Sequence, residues 1–230
     1  MLVKDWMTEG LYNLGVNDTV LDAADMLRRN NIRQLPVIDT TGRLVGIVSD
    51  RDIRDAMPSK FLEGDATKAE AGKGLFDLKV KKIMTEDPIT ISPDSTVDTA
   101  ANFLLNNKVG GLPVIDTRGA LVGIITETDI FKYLCAVTGV CRQGIQLVFK
   151  LEDTPGAAID LLSYLKGEEI RLSSVLTSYE KVEYGYREVS IRVQSTGKHS
   201  LETLITMLKD KYTLLYYIQD GKAKGLDSPE

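Results

Sequence analysis

Two short segments of this chain carry side chains that could do chemistry. Ser49-Asp-Arg-Asp52 and Thr126-Glu-Thr-Asp129 each place a hydroxyl three residues ahead of a carboxylate. At a helix start a hydroxyl joins free N–H groups and the positive end of the dipole, a setting that favours phosphate. A carboxylate nearby can accept hydrogen bonds from a diol. The same hydroxyls also serve as plain helix caps, and both readings stand. Acid–base catalysis has no comparable seat. His199 is the single histidine and lies in the loop Ser195-Thr-Gly-Lys-His-Ser200, where it reads as a surface residue, and Glu168-Glu169 reads as a solvated turn. The sequence contains no Gly-x-Ser-x-Gly, Walker-type loop or Gly-x-Gly-x-x-Gly, the spacings that would announce a nucleophile or a phosphate cradle. Cys135 and Cys141 lack the further ligands of a zinc site and read as buried thiols of a reducing compartment. No catalytic residue and no metal site is assigned, and no cofactor is required.

The two segments belong to an internal repeat. Residues 3–53 recur 77 positions later as 80–130 without a gap, with 24 identities in 51 positions. Met7-Thr-Glu9 returns as Met84-Thr-Glu86, Leu35-Pro-Val-Ile-Asp-Thr40 as Leu112-Pro-Val-Ile-Asp-Thr117, and Leu44-Val-Gly-Ile47 as Leu121-Val-Gly-Ile124. A period this long means one supersecondary unit used twice. Within each copy, Val20, Ala23, Ala24 and Leu27, and then Val97, Ala100, Ala101 and Leu104, have helical spacing behind a threonine cap. Two apolar runs around a turn, Leu35–Ile38 and Leu44–Val48 about Asp39-Thr-Thr-Gly42, predict a hairpin, and Ser49 opens a second helix. A unit of about 50 residues has too little core to stand alone, so the copies are expected to pack sheet to sheet.

The remainder follows a different pattern. Ile145–Leu151, Arg171–Tyr179, Tyr186–Val193 and Thr213–Ile218 read as strands, and Pro155–Lys166 and a segment capped by Ser200 as helices. This βαββαβ order is ferredoxin-like. Between the copies, Pro58–Lys79 is rich in alanine, glycine and charge and reads as a partly helical linker pinned by Phe61, Leu62, Leu75 and Phe76. A net charge of −5 over 230 residues gives no positive field for nucleic acid or an anionic membrane. Lys79, Lys81 and Lys82 read as the solvated side of a packed segment around Val80 and Ile83. An acid at Asp5 interrupts any signal-peptide core, and no apolar run approaches the roughly 20 residues that span a bilayer. The expected location is the cytoplasm.

Residues 1 to about 135 resemble a pair of CBS domains, a Bateman module, through the Val-Lys-x-x-Met start, Leu-Pro-Val-Ile-Asp, the Gly-x-Leu-Val-Gly-Ile hairpin and the closing Ser/Thr-x-x-Asp-Ile, all twice in order. The resemblance implies a pseudo-twofold pair, with CBS domains at 1–57 and 80–136 and a linker at 58–79. It implies clefts for adenosine ligands such as AMP, ADP, ATP, S-adenosylmethionine or NAD. It places Tyr12, Ile32, Arg33, Leu35, Pro36, Ser49, Arg51 and Asp52 at the first site and Ile89, Val109, Gly110, Leu112, Pro113, Thr126, Thr128 and Asp129 at the second, the aspartates on the ribose. Arg33 and Arg51 face Gly110 and Thr128 in the repeat, and guanidinium groups suit phosphate. The first site is therefore expected to prefer a phosphorylated nucleotide and the second a less charged compound, or none. Residues 143–220 resemble an ACT domain through Asp153-Thr-Pro-Gly156. That implies either an amino-acid site at Asp153, Pro155 and Gly156 or a dimerisation role. The whole order is similar to the acetoin-utilisation AcuB-type proteins. The expected function is a non-catalytic, homodimeric ligand sensor of mixed α+β fold. The alternative is an adaptor that regulates a partner enzyme, for instance in acetoin or acetate metabolism, without a small ligand.

Overall fold

The computed structural model describes residues 1–56 and 77–225. The chain divides into two compact units, Met1–Tyr133 and Leu134–Glu230, and both mix helices with strands. Most of the linker reading, including Phe61, Leu62, Leu75 and Phe76, lies outside the described residues.

In the first unit the copies share two helices and a hairpin, while the short pairings before them are unequal: Leu14–Gly15 is matched in the second copy by the single bridge of Ile91 to Val114, and Thr85–Glu86 in the first by that of Thr8 to Ile124. The first has β1 (Leu14–Gly15), α1 (Val20–Asn30), β2 (Gln34–Ile38), β3 (Leu44–Ser49) and α2 (Asp50–Ala56), and the second has β4 (Thr85–Glu86), α3 (Val97–Asn107), β5 (Gly111–Ile115), β6 (Leu121–Thr126) and α4 (Glu127–Thr138). Thr19 and Thr96 cap α1 and α3, accepting from the backbone N–H groups of Asp22 and Thr99. The apolar stripes then bury Val20, Ala23 and Leu27 in one copy and Val97, Ala100 and Leu104 in the other. Both hairpins are antiparallel, with Pro36 opposite Ile47 and Pro113 opposite Ile124.

Each hairpin turn is wrapped around an aspartate. Asp39 Oδ1 accepts from Thr41 Oγ1 at 2.6 Å and N at 2.7 Å and from Arg43 N at 3.0 Å, and Asp116 Oδ1 accepts from the N–H groups of Ala120 and Arg118, both at 2.9 Å. The Thr41 hydroxyl in the first turn and the Ala120 amide in the second are the main causes that hold these carboxyls below their usual range. A depressed folded value means that the turns' contribution is complete above the ordinary carboxylate range and is lost as pH falls through the depressed values. Carboxyl NMR titration is expected to find both groups protonating below the usual carboxylate range, and Thr41→Ala, which removes the donating hydroxyl, to shrink that displacement at Asp39 while leaving Asp116 unchanged.

The two copies exchange their first residues. Val3 donates its N–H to Ser95 O at 2.8 Å, Leu2 bridges Thr96, and Thr8 bridges Ile124 of β6. Reciprocally, Val80 donates to Asp18 O at 2.9 Å, Lys79 bridges Thr19, and Thr85 pairs with Ile47 of β3. Val3 thus lies in the second copy's core with Ile91, Leu112 and Ile125, and Val80 in the first copy's core with Leu14, Leu35 and Val48, all fully or almost fully buried. Lys81 and Lys82 are exposed around Val80. Leu78, at the linker's end, packs against the first core. Glycine is required where the exchanged segments cross the hairpins: a Cβ on Gly46 would stand 2.5 Å from Met84 Sδ, and one on Gly123 the same distance from Met7 Sδ.

The second unit runs β7 (Ile145–Glu152), α5 (Ala157–Gly167), β8 (Leu172–Ser178), β9 (Tyr186–Val193), α6 (Leu201–Lys211), β10 (Thr213–Gln219) and β11 (Lys222–Lys224). Its sheet has the order β11-β10-β7-β9-β8, with every described pairing antiparallel. Leu161 and Leu165 of α5 and Leu204 and Leu208 of α6 bury one face of the sheet with Leu147, Phe149 and Ile191. The strand β11 was not anticipated; Asp220 and Gly221, both at positive φ, turn the chain back onto β10.

Candidate functional site

The hydroxyl and carboxylate of each copy bind one another. Asp52 Oδ2 accepts from Ser49 N and Oγ, both at 2.7 Å, and Ser49 Oγ accepts from Asp52 N at 3.3 Å. In the second copy Asp129 Oδ2 accepts from Thr126 N at 3.0 Å and Oγ1 at 2.8 Å. The first is a reciprocal cap at the first turn of α2 and the second runs one way, to Asp129, at the first turn of α4, so the hydroxyl protons are committed to the aspartates. Asp50 N donates to Arg33 O at 3.0 Å and Glu127 N to Gly110 O at 3.2 Å. The segment before each hairpin is thereby tied to the helix carrying the acid, which brings residues 32–33 beside 49–52 and residues 109–110 beside 126–129.

Not every expected lining residue can touch a ligand. Leu35 and Leu112 are fully buried core residues and Pro36 and Pro113 are buried in the strands; packing claims their side chains, so their part in a site falls to the backbone. Ile32 and Val109 are half-buried against the two cores. Tyr12 and Ile89 remain 54 % and 40 % exposed. Arg33, Arg51 and Thr128 are exposed, and among the described residues neither arginine is ion-paired. Gly110 has a packing reason: with Gly111 it makes room for Gln34, whose Nε2 and Oε1 stand 2.7 and 2.4 Å from where Cβ atoms would lie. Because Gln34 is the counterpart of Gly111 in the repeat, this contact marks the pseudo-twofold axis.

The sequence reading missed Lys132. Its Nζ lies 3.1 Å from Asp129 Oδ1, and the Asp129 side chain is only 4 % exposed beneath it. Trp6 and Tyr133 meet edge to face, with centroids 5.4 Å apart, beside the same helix. An i,i+3 pair looks like ordinary helix surface; the available signal was the comparison of copies, since Asp55 occupies the position equivalent to Lys132.

Two further readings are corrected. His199 is not a free surface group: it is half-buried with Nε2 2.7 Å from Glu168 Oε2. Glu169 is exposed and pairs at 2.7 Å with the equally exposed Lys198, as a solvated turn allows. Cys141 is exposed and Cys135 half-buried, so neither is a buried thiol. At the Asp153-Thr-Pro-Gly156 turn, Gly156 is the N-cap of α5 in the left-handed region and Pro155 is exposed. Asp153 Oδ1 lies 3.4 Å from Tyr179 Oη and 3.9 Å from Arg187 Nε. Among the described residues no cluster of histidine, cysteine and acids is placed to hold a metal ion, and no helix is long and apolar enough to cross a membrane.

Residues 3–59 and 80–136 each match the CBS domain. A CBS domain-containing protein from Dictyostelium discoideum is 39 % identical over 138 residues, which cover 60 % of this chain and 93 % of that relative. The chain belongs to the CBS-domain family. Among solved structures, the CBS-pair protein CBSX2 from Arabidopsis thaliana aligns with 28 % identity and a TM-score of 0.51 over 60 % of this chain and 96 % of its own. The acetoin utilization protein AcuB from Vibrio cholerae aligns with 27 % identity and a TM-score of 0.51 over 61 % and 95 %. CBS domains of this paired kind are regulatory modules, and the two copies here form such a pair.

Proposed function

We propose that this CBS protein is a non-catalytic sensor that binds an adenosine-containing nucleotide in the clefts of its CBS pair. The observation carrying this reading is Asp52: its Oδ2 is fixed by Ser49, and among the described residues Oδ1 has no partner, which leaves a positioned acceptor for a ribose diol. Ile32 and the backbone of residues 33–36 supply a flat apolar edge for adenine, Tyr12 stands exposed to close over it, and Arg33 and Arg51, exposed and not ion-paired among the described residues, suit phosphate. In the second site Ile89, Val109, Gly110 and Asp129 take the same places with no arginine. AMP, ADP, ATP, S-adenosylmethionine and NAD share the adenosine end and differ at the phosphate end, so the arginines favour a phosphorylated ligand at the first site.

The test is thermal unfolding with and without AMP. At about 100 times Kd the wild type is expected to gain about 2.7 kcal/mol, and Asp52→Ala to lose most of that ligand-induced gain whatever its own cost to the cap of α2. Arg51→Ala should weaken AMP more than adenosine. Equal AMP stabilisation of wild type and Asp52→Ala would overturn the site.

In the same reading the C-terminal unit is an ACT-type domain and the chain an AcuB-like cytoplasmic homodimer. Arg187 favours an amino-acid ligand there, since its Nε is buried without a hydrogen-bond partner beside Asp153: the carboxylate suits an ammonium and the guanidinium a carboxylate, next to Pro155 and Gly156. A second reading, the ligand-free adaptor acting on a partner enzyme, is favoured by the exposed Leu105 and Phe131 of the CBS pair, which are 74 % and 64 % accessible. It predicts no AMP stabilisation of any variant.

A further inference from the structure

We propose that Lys132 closes the second cleft from within, by standing as an internal cation on the carboxylate that a ribose would have to reach. The proposal rests on the adenosine reading and explains why two copies of one site should not be filled alike.

The repeat supplies the comparison. Asp52 and Asp129 are equivalent, both are held through Oδ2 by the hydroxyl three residues before them, and both sit in the first turn of the closing helix. They differ in what meets the other oxygen. In the second copy Lys132 Nζ lies 3.1 Å from Asp129 Oδ1, and the acid is 3 % exposed. In the first copy the equivalent residue is Asp55, which cannot pair with Asp52, and Asp52 is half-buried. A diol competing for Asp129 must therefore displace an ammonium and uncover the acid, whereas at Asp52 it displaces water.

The helix that carries Lys132 is also held more firmly. Tyr133 meets Trp6 edge to face, where the first copy has Ala56 and Ile83. Lys132 itself is 65 % exposed in its side chain, so it can swing off the carboxylate without unfolding anything. The cleft is shut rather than absent.

Titration calorimetry of AMP against the full chain tests this. One binding event per chain is expected for the wild type, none for Asp52→Ala, and a second event after Lys132→Ala or Lys132→Met. In the Asp52→Ala background, Lys132→Ala should restore a single event at the second site, tightened by about tenfold or more over the lysine form. Adding Asp129→Asn should remove it again. Two equal events in the wild type would overturn the proposal. One event in the wild type with none gained in either Lys132 variant would overturn it too, while leaving nucleotide binding at Asp52 intact. No AMP binding by any variant would overturn both readings together.

Discussion

Val3→Asp is expected to damage the second CBS copy, although Val3 precedes every element of the first. The side chain is fully buried among Ile91, Ala100, Leu112, Val114 and Ile125, all of them from the second repeat, and no cation is among them. A carboxylate placed there is an uncompensated buried charge, which costs about 3–5 kcal/mol, a large part of the stability of a domain of this size. Hydrogen exchange followed by mass spectrometry reads the result: peptides covering α3, β5 and β6 should lose protection at least as early as those covering α1 and β2. If only residues 14–49 lost protection, the exchange of segments between copies would be wrong.

Phe149→Ala should be the most damaging truncation in the C-terminal unit. Among the described residues Phe149 is the largest fully buried side chain; it lies on the central strand β7, meets Tyr212 edge to face at 6.3 Å and belongs to the cluster with Leu161 and Leu204. Deleting a buried phenylalanine costs about 3–5 kcal/mol through lost transfer energy and the cavity left behind. Urea unfolding monitored at the amides of β7 and β9 is expected to shift to a midpoint lower by that free energy divided by m, with the m-value unchanged. Tyr184→Ala is the control, since Tyr184 is fully exposed, and it should shift nothing. A Phe149→Ala loss below about 1 kcal/mol would mean that the cluster repacks around the gap.

These two residues mark what the sequence could and could not disclose. Phe149 was legible: it lies in an apolar run, and alternation through Val189, Ile191 and Val193 placed the next strand of the same core. The hairpins were legible for the same reason, as were the caps at Thr19, Thr96 and Ser200, because each is a local rule acting over four residues. Val3 was legible as apolar and repeated, but not as belonging to the other copy. A repeat at a fixed offset looks the same whether each start packs at home or abroad, and only the pairing of Thr8 with Ile124 and of Thr85 with Ile47 decides it.

At the candidate site the aspartates were legible from type and spacing, and their burial was not. Leu35 and Leu112 could be read from the family pattern as lining a slot, yet packing leaves their side chains no surface to offer. Gly110 could be read as a missing arginine, whereas the space it leaves is taken by Gln34 from across the axis. Lys132 and Glu168 show the same limit. An ion pair or a half-buried histidine depends on where two loops or turns come to rest, and residue spacing does not record that.

The exchanged starts make the first unit a tethered dimer. Each repeat lacks its own opening turn and carries its neighbour's, which is the composition of a subunit in a swapped homodimer. Two fragments ending at residue 56 and beginning at residue 77 would contain every described strand partner, so they should find each other and assemble without the peptide between them.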